Sequence, residues 1–259
     1  MFRYSFHELG VTTMLNQNCF TIRLAGIAIE VHALFASTKD FCSEYLCEEK
    51  AAFSVTIFPE DLKYEREKSI ADAVRIGRIV HHYADEYLET LALYRKIVDK
   101  LLEYQILLFH GSAIEVDGQC YLFTAPSGTG KSTHVRFWRE HFGERAVMIN
   151  DDKPLLSINA DKILVHGTPW NGKHQLGSNR SAPLKAICLL QRGTANHIEA
   201  ISPSEALSIL LQQSYRSKNP EKLGCTLELV DALTKCCKFY RLHCNLDPSA
   251  AATAFMGMQ

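Results

Sequence analysis

At 259 residues the chain is long enough to bury a large core in one or two domains. Its formal net charge of −1, with 47% apolar and 22% charged residues, is ordinary for a globular protein and gives no basic field to attract nucleic acid. No apolar run approaches the ~18 residues of a membrane span and no basic-then-apolar leader opens the chain, so the expectation is a cytoplasmic protein with neither membrane nor nucleic-acid partners. The nine cysteines show no C-x-x-C spacing, which suits reduced thiols better than a disulfide framework or a zinc site.

Residues 1–83 read as a small N-terminal β-rich unit and residues 84–259 as the main domain. In the first, Cys19–His32 and Phe53–Phe58 are rich in β-branched and aromatic residues and predict strands, with Pro59-Glu60-Asp61 as a breaker. Residues 62–83 are mixed in charge and fit helix or strand, and His81-His82, with no third ligand nearby, reads as a solvated pair. From Asp85 to Tyr104, the spacing of Leu88, Leu91, Tyr94, Ile97 or Val98, Leu101 and Leu102 predicts a helix with one apolar stripe.

Leu107–Val116 and Gln119–Thr124 are predicted strands joined by Asp117-Gly118, the strongest short hairpin signal. A two-residue turn sets the register: Val116 opposite Gln119, Ile114 opposite Tyr121, Ser112 opposite Phe123 and His110 opposite Ala125. The second strand therefore pairs antiparallel with its predecessor, unlike the parallel βαβ entry of ordinary mononucleotide folds.

That strand feeds Ala125-Pro126-Ser127-Gly128-Thr129-Gly130-Lys131-Ser132, which fits the phosphate-loop pattern [A/G]-x-x-x-x-G-K-[S/T]. Such glycines let consecutive backbone N–H groups turn toward phosphate oxygens, so Ser127, Gly128, Thr129, Gly130 and Thr133 form the candidate cradle for ATP. Lys131 would reach the outer phosphates, and the Ser132 hydroxyl would ligate Mg²⁺. Lys131–Phe142 then predicts a helix, with Val135, Trp138 and Phe142 on one face and Gly143 as its stop.

Ala146–Asn150 is a predicted strand that ends in Asp151-Asp152. Phosphoryl transfer needs one carboxylate for Mg²⁺ and one to accept the proton of the attacking hydroxyl. Adjacent strand residues point to opposite faces, so Asp151 and Asp152 divide these tasks unless a turn starts there, and the sequence leaves open which does which. The hairpin register brings His110 to the same site, with a core hydrogen-bonding role as its alternative.

Pro154–Ile158 and Lys162–His166 form a second predicted hairpin around Asn159-Ala160-Asp161. Gly167–Pro183 lacks hydrophobic periodicity and reads as a long functional loop. In it, Lys173 and Arg180 would hold the phosphoryl group or an anionic part of the acceptor, and Trp170 would pack as a lid. Strands over Leu184–Gln191 and His197–Ile201 follow, then a capping box formed by Ser202, Pro203 and Glu205. Helices over Pro203–Gln213 and Glu221–Cys237, a strand over Phe239–Cys244 and a helix capped by Asp247-Pro248 complete the chain.

Taken in order, His110-Gly111, the hairpin, the Ser127–Thr133 segment and Asp151-Asp152 resemble the catalytic core of HPr kinase/phosphorylase. They also resemble the nucleotide site of ATP-dependent phosphoenolpyruvate carboxykinase, which shares that core. The resemblance spans about residues 105–205. It implies an α/β (α+β-like) fold, a P-loop kinase core with a mixed, largely antiparallel sheet, in which Asp151 acts as general base and Asp152 helps bind the metal. Thr133 stands where HPr kinases carry glutamate, and Gly167–Lys173 occupies the place of their Arg-Gly-x-Gly loop. The expected function is an ATP- and Mg²⁺-dependent kinase acting on a hydroxyl, of serine in a peptide or protein first and of a small molecule second. A nucleotide-binding regulatory module without turnover and a carboxykinase-like enzyme are the alternatives, and the acceptor and any oligomeric state are left open.

Overall fold

The computed structural model describes residues 18–259 apart from Ser127, Ala160, Asp161 and Lys173. Contacts divide the chain into two units, one ending at Ile97 and one beginning at Val98.

The first unit holds a three-stranded sheet of β1 (Cys19–Leu24), β2 (Ile27–His32) and β3 (Phe53–Thr56), with helices α1 (Ser37–Phe41) and α2 (Pro59–Arg75) and most of α3 (Asp85–Leu101). The run expected as one strand over 19–32 folds back on itself, because Ala25 (φ 49°) and Gly26 (φ 84°) both take the left-handed conformations of a tight hairpin turn. Pro59 lies past the end of β3 at Thr56, as a breaker does, and it also opens α2. Its missing N–H is no loss at the first helical position, and the Asp61 carboxylate accepts the Phe58 N–H at 3.0 Å. The unit is accordingly less β-rich than its sequence predicts. In α3, Leu88, Tyr94, Ile97, Val98 and Leu101 are buried as the stripe requires, while Leu91 is only half-buried. Buried Glu89 accepts the N–H groups of Leu34 and Phe35, at 2.5 and 3.1 Å, and the Thr38 hydroxyl.

The second unit carries, in chain order, β4 (Ile106–Leu108), β5 (Ser112–Val116), β6 (Gln119–Thr124), α4 (Lys131–Phe142), β7 (Ala146–Asn150), β8 (Leu155–Asn159), β9 (Lys162–His166) and β10 (Ser181–Arg192). Then come β11 (His197–Ile201), α5 (Pro203–Gln213), α6 (Pro220–Cys236), β12 (Phe239–Cys244) and α7 (Ser249–Gly257). The sheet order is β4-β8-β9-β10-β6-β5-β7, with β12 and then β11 laid along the second half of β10. The sheet is mixed and mostly antiparallel, with parallel pairs at β10–β6 and β10–β12.

The β5–β6 hairpin has the expected register over Ser112↔Phe123, Ile114↔Tyr121 and Val116↔Gln119, with Asp117 and Gly118 at φ 52° and 77°. Its first strand is shorter than predicted: Phe109–Gly111 leave the ladder, and β4 pairs with β8 instead. Close approach to β6 marks the break, since a Cβ on Gly111 would lie 2.9 Å from the Phe123 carbonyl oxygen. On its other side β6 runs parallel to β10, so the loop after it leaves a strand with one antiparallel and one parallel neighbour.

Both sheet faces are covered, which is why β6 is buried almost throughout. Leu122, Ile187, Leu210 and Leu233 belong to one core with α5 and α6. Phe123, Trp138, Leu242, Ala251 and Met258 belong to the other with α4 and α7.

Two buried histidines sit in this unit. The His134 Nε2 accepts the Trp138 indole N–H at 2.9 Å, which leaves its proton on Nδ1. The His166 ring nitrogens lie 2.8 Å from the Ser157 hydroxyl and 2.7 Å from that of Ser181. Burial pushes His134 down to about 3 and His166 down to about 4. Below the ordinary histidine pKa of ~6.5, the unfolded chain takes up protons that the folded chain refuses, so stability falls with falling pH. The expected loss between pH 6.5 and 5.5 is at most roughly 2–3 kcal/mol for the two together, from ~1.4 kcal/mol per group per pH unit. Urea melts at the two pH values measure it, and His166→Gln should flatten the slope. An unchanged slope would place the pH sensitivity elsewhere.

Candidate functional site

The loop from Ala125 to Ser132 joins β6 to α4. Gly128 (φ 80°) and Gly130 (φ 119°) take backbone conformations that disfavour a side chain, and a Cβ on either would meet nothing within 4 Å. Backbone geometry therefore demands glycine here, while the space above the loop is open. No side chain caps α4, so the positive end of its dipole faces the loop. Lys131 Nζ donates to the Ala125 carbonyl at 3.0 Å, the Thr129 hydroxyl to the Pro126 carbonyl at 2.8 Å, and Arg192 from β10 to the Gly128 carbonyl at 2.8 Å. Ser127 lies outside the described residues.

Asn150 ends β7 fully buried, and its side-chain oxygen accepts the N–H groups of Asp152 at 2.8 Å and Lys153 at 2.6 Å. A turn thus begins at the acidic pair, and strand alternation does not set the two directions. The Asp151 carboxylate accepts the Gly172 N–H at 2.5 Å and lines a cavity of about 490 Å³ together with Ser132, Thr133 and His174. The Asp152 carboxylate lies 3.2 Å from His110 Nε2 and 3.6 Å from Lys153 Nζ. Burial pushes the Asp152 carboxyl up, but the His110 hydrogen bond and the charges of Lys153, His110 and Lys131 outweigh it and hold the group below its ordinary value. Burial likewise lowers Lys131, with the Asp152 charge opposing it.

His110 therefore meets Asp152, which also lies in the field of Lys131. Its other ring nitrogen meets the Gln213 side-chain oxygen at 2.5 Å, its N–H donates to the Gln213 carbonyl at 2.7 Å, and its carbonyl accepts the Thr124 hydroxyl at 3.1 Å. Gln213 and Asn150 are structural members of the site that sequence reasoning missed. Asn150 had a signal, since asparagine before two exposed-type residues forms a side-chain-capped turn. Gln213, at the end of α5, had none.

The segment after β9 is more ordered than a loop without periodicity suggests. Ser178 donates its N–H to the Ile149 carbonyl at 3.1 Å and its hydroxyl to the Met148 carbonyl at 2.7 Å, and Ser181–Pro183 already belong to β10. Trp170 is buried at 4% exposure. Arg180 pairs with Glu115 at 3.4 Å. Lys173 lies outside the described residues.

The described chain is a mixed α/β protein with an open glycine loop beside a two-aspartate turn. It belongs to the ScmC family: the family model, described as SynChlorMet cassette protein ScmC, matches residues 80–222, more than half of the chain. No curated protein matches it. Among solved structures it is similar to the Hpr(Ser) kinase/phosphatase from Coxiella burnetii, at 9% identity and a TM-score of 0.32, over 58% of this chain and 97% of that one. A likeness so distant carries no argument about this chain. Among the described residues no helix is long and apolar enough to cross a membrane.

The return of the 167–180 segment onto β7 makes Gly167 obligatory. A Cβ there would lie 1.9 Å from the Ser178 carbonyl oxygen and 2.9 Å from that of Ile149. Gly167→Ala should cost about 3 kcal/mol or more, since backbone must move to relieve the overlap. Gly224→Ala is the control: it sits in α6, its Cβ would meet nothing, and helix propensity should stabilise the protein by ~1 kcal/mol. Urea unfolding of both variants tests the pair, and a neutral Gly167→Ala would mean the segment is loosely held.

Proposed function

We propose that the protein is an ATP- and Mg²⁺-dependent kinase that transfers a phosphoryl group to a hydroxyl, with serine in a peptide or protein as the leading acceptor. The observation that carries this reading is the pairing of an uncapped, glycine-shaped helix start bearing Lys131 with two aspartates of separate surroundings. A nucleotide-binding module needs the loop and one metal ligand. It has no use for a second carboxylate in the adjoining cavity.

The residues fit a magnesium nucleotide. The space above Gly128 and Gly130 is open, the α4 dipole favours anions, and hydroxyl and carboxylate oxygens are the hard donors Mg²⁺ takes. The Gly128–Gly130 backbone, Lys131 and Thr133 would hold phosphates, and Ser132 and Asp152 would hold the cation. When bound, the magnesium nucleotide supplies the phosphoryl group and neutralises much of its charge. Asp151, held by the Gly172 N–H and lining the cavity, would take the proton from the acceptor hydroxyl. His110, itself held by Gln213, keeps Asp152 oriented and anionic. Lys131 would exchange the Ala125 carbonyl for a phosphate oxygen.

Lys131→Ala should reduce transfer at least roughly tenfold to a hundredfold, the loss expected for one charge-assisted contact of ~1.5–3 kcal/mol. Asp151→Asn should lose about 10²–10⁴-fold in turnover while still binding Mg-ATP, and Asp152→Asn should weaken magnesium-dependent nucleotide binding as well. Net transfer of labelled phosphate, with calorimetric titration in the presence and absence of Mg²⁺, reads all three. Wild-type transfer by Lys131→Ala would remove the loop from the reaction. Nucleotide binding by the wild type without net transfer to any acceptor would favour a regulatory module.

A further inference from the structure

The cavity beside Asp151 contains two cations that phosphoryl transfer itself does not use. Ser132, Val135, Arg136 and Arg139 follow the i, i+3, i+4, i+7 spacing of one helical face, and all four line that cavity. Asp151 and His174 stand across from them, with Leu176 as an apolar patch. Both arginines are exposed. Arg136 makes a 3.6 Å ion pair with Glu140 on the solvent side, of the kind worth little, and among the described residues Arg139 has no ion-pair partner. Position in the last turn gives Arg139 a favourable dipole interaction, but Arg136 lies too early in α4 to share it.

The sign of the charge matters here. Asp151 is the one carboxylate in the cavity lining and would by itself favour a basic acceptor, and the two arginines reverse that balance. At 1.5 Å rise per residue they lie about 6 and 10 Å beyond Ser132 along the helix. An extended peptide advances ~3.3 Å per residue, so that distance corresponds to two or three residues from an accepting serine. The geometry points to an acidic peptide segment as the acceptor: a serine presented to Asp151, with a carboxylate side chain two or three residues away taken by Arg136 and Arg139. Guanidinium groups suit that role because they bind carboxylates through paired N–H donors.

This assignment rests on the kinase reading, and the test separates the two. The full chain is incubated with Mg-ATP and a set of serine peptides carrying Asp, Ala or Lys at each position up to three residues either side of the serine. Binding of Mg-ATP is measured alongside. The expected result is about a tenfold higher kcat/KM for the acidic peptide over the alanine peptide at one of those spacings, equivalent to ~1.4 kcal/mol. In the double variant Arg136→Glu/Arg139→Glu the preference should turn toward lysine, a change of specificity that a misfolded variant could not produce. Arg139→Lys should keep part of the acidic preference. Phosphorylation indifferent to the flanking charge, or an acidic preference retained by the double variant, overturns the assignment and leaves the kinase reading standing. Bound Mg-ATP with no peptide phosphorylated also overturns it. Failure to bind Mg-ATP at all would sink the kinase reading first.

Discussion

The buried amide of Asn150 holds the site together. Its oxygen accepts the N–H groups of Asp152 and Lys153, and its nitrogen donates to Thr168, at 3.0 Å to the hydroxyl. Thr168 in turn donates to the Lys153 carbonyl at 3.1 Å. One fully buried side chain thus closes the acidic turn and fastens the chain that returns over it. An amide can do this and a carboxylate cannot, because both donor and acceptor are needed from the same group. Fixing the turn in this way lets Asp151 and Asp152, neighbours in sequence, occupy different surroundings.

The sheet supplies the rest of the placement. β5 lies between β6 and β7, so the strand leading into the glycine loop and the strand leading into the acidic turn are held one strand apart. Ser112, at the start of β5, donates its hydroxyl to the Asp151 carbonyl at 3.2 Å, and the Gly111 N–H donates to the Asp152 carbonyl at 3.0 Å. The break in the ladder before Ser112 is therefore useful: the groups freed at Phe109–Gly111 bond to the acidic turn and to α5. Burial on both faces keeps this frame stiff, with Trp138 and Phe123 packed on one side and Leu122 on the other.

Much of this was legible in the chain, and the parts that were not have physical reasons. Asp117-Gly118, Ser202-Pro203-Glu205 and the 3.6-residue spacing of Val135, Trp138 and Phe142 act locally, so short windows were enough to read their consequences. Proline at 59 was legible as the end of a strand and not as the start of a helix, which depends on the capping aspartate after it. Ala25-Gly26 was hidden inside an apolar run, and only pairing across β1 and β2 exposes the turn. The segment from Gly167 to Arg180 lacks periodicity because its partners are the edge of β7 and the acidic turn, distant in sequence. The pairing of Arg180 with Glu115 is hidden for the same reason, since nothing nearby in sequence reveals that partner. Hairpin register puts His110 opposite Ala125, yet the ladder breaks before Ser112, and Gln213 and Thr124 hold the residue beside Asp152.

The two carboxylates illustrate how a fold separates chemically identical groups. Asp152 is surrounded by His110, Lys153 and Lys131, cations or donors that favour its charged form and offset the cost of burying it. Asp151 has one backbone N–H and a cavity wall shared with hydroxyls. The turn that Asn150 forms keeps both side chains beside the start of α4, whereas in a continuing strand they would have pointed to opposite faces of the sheet.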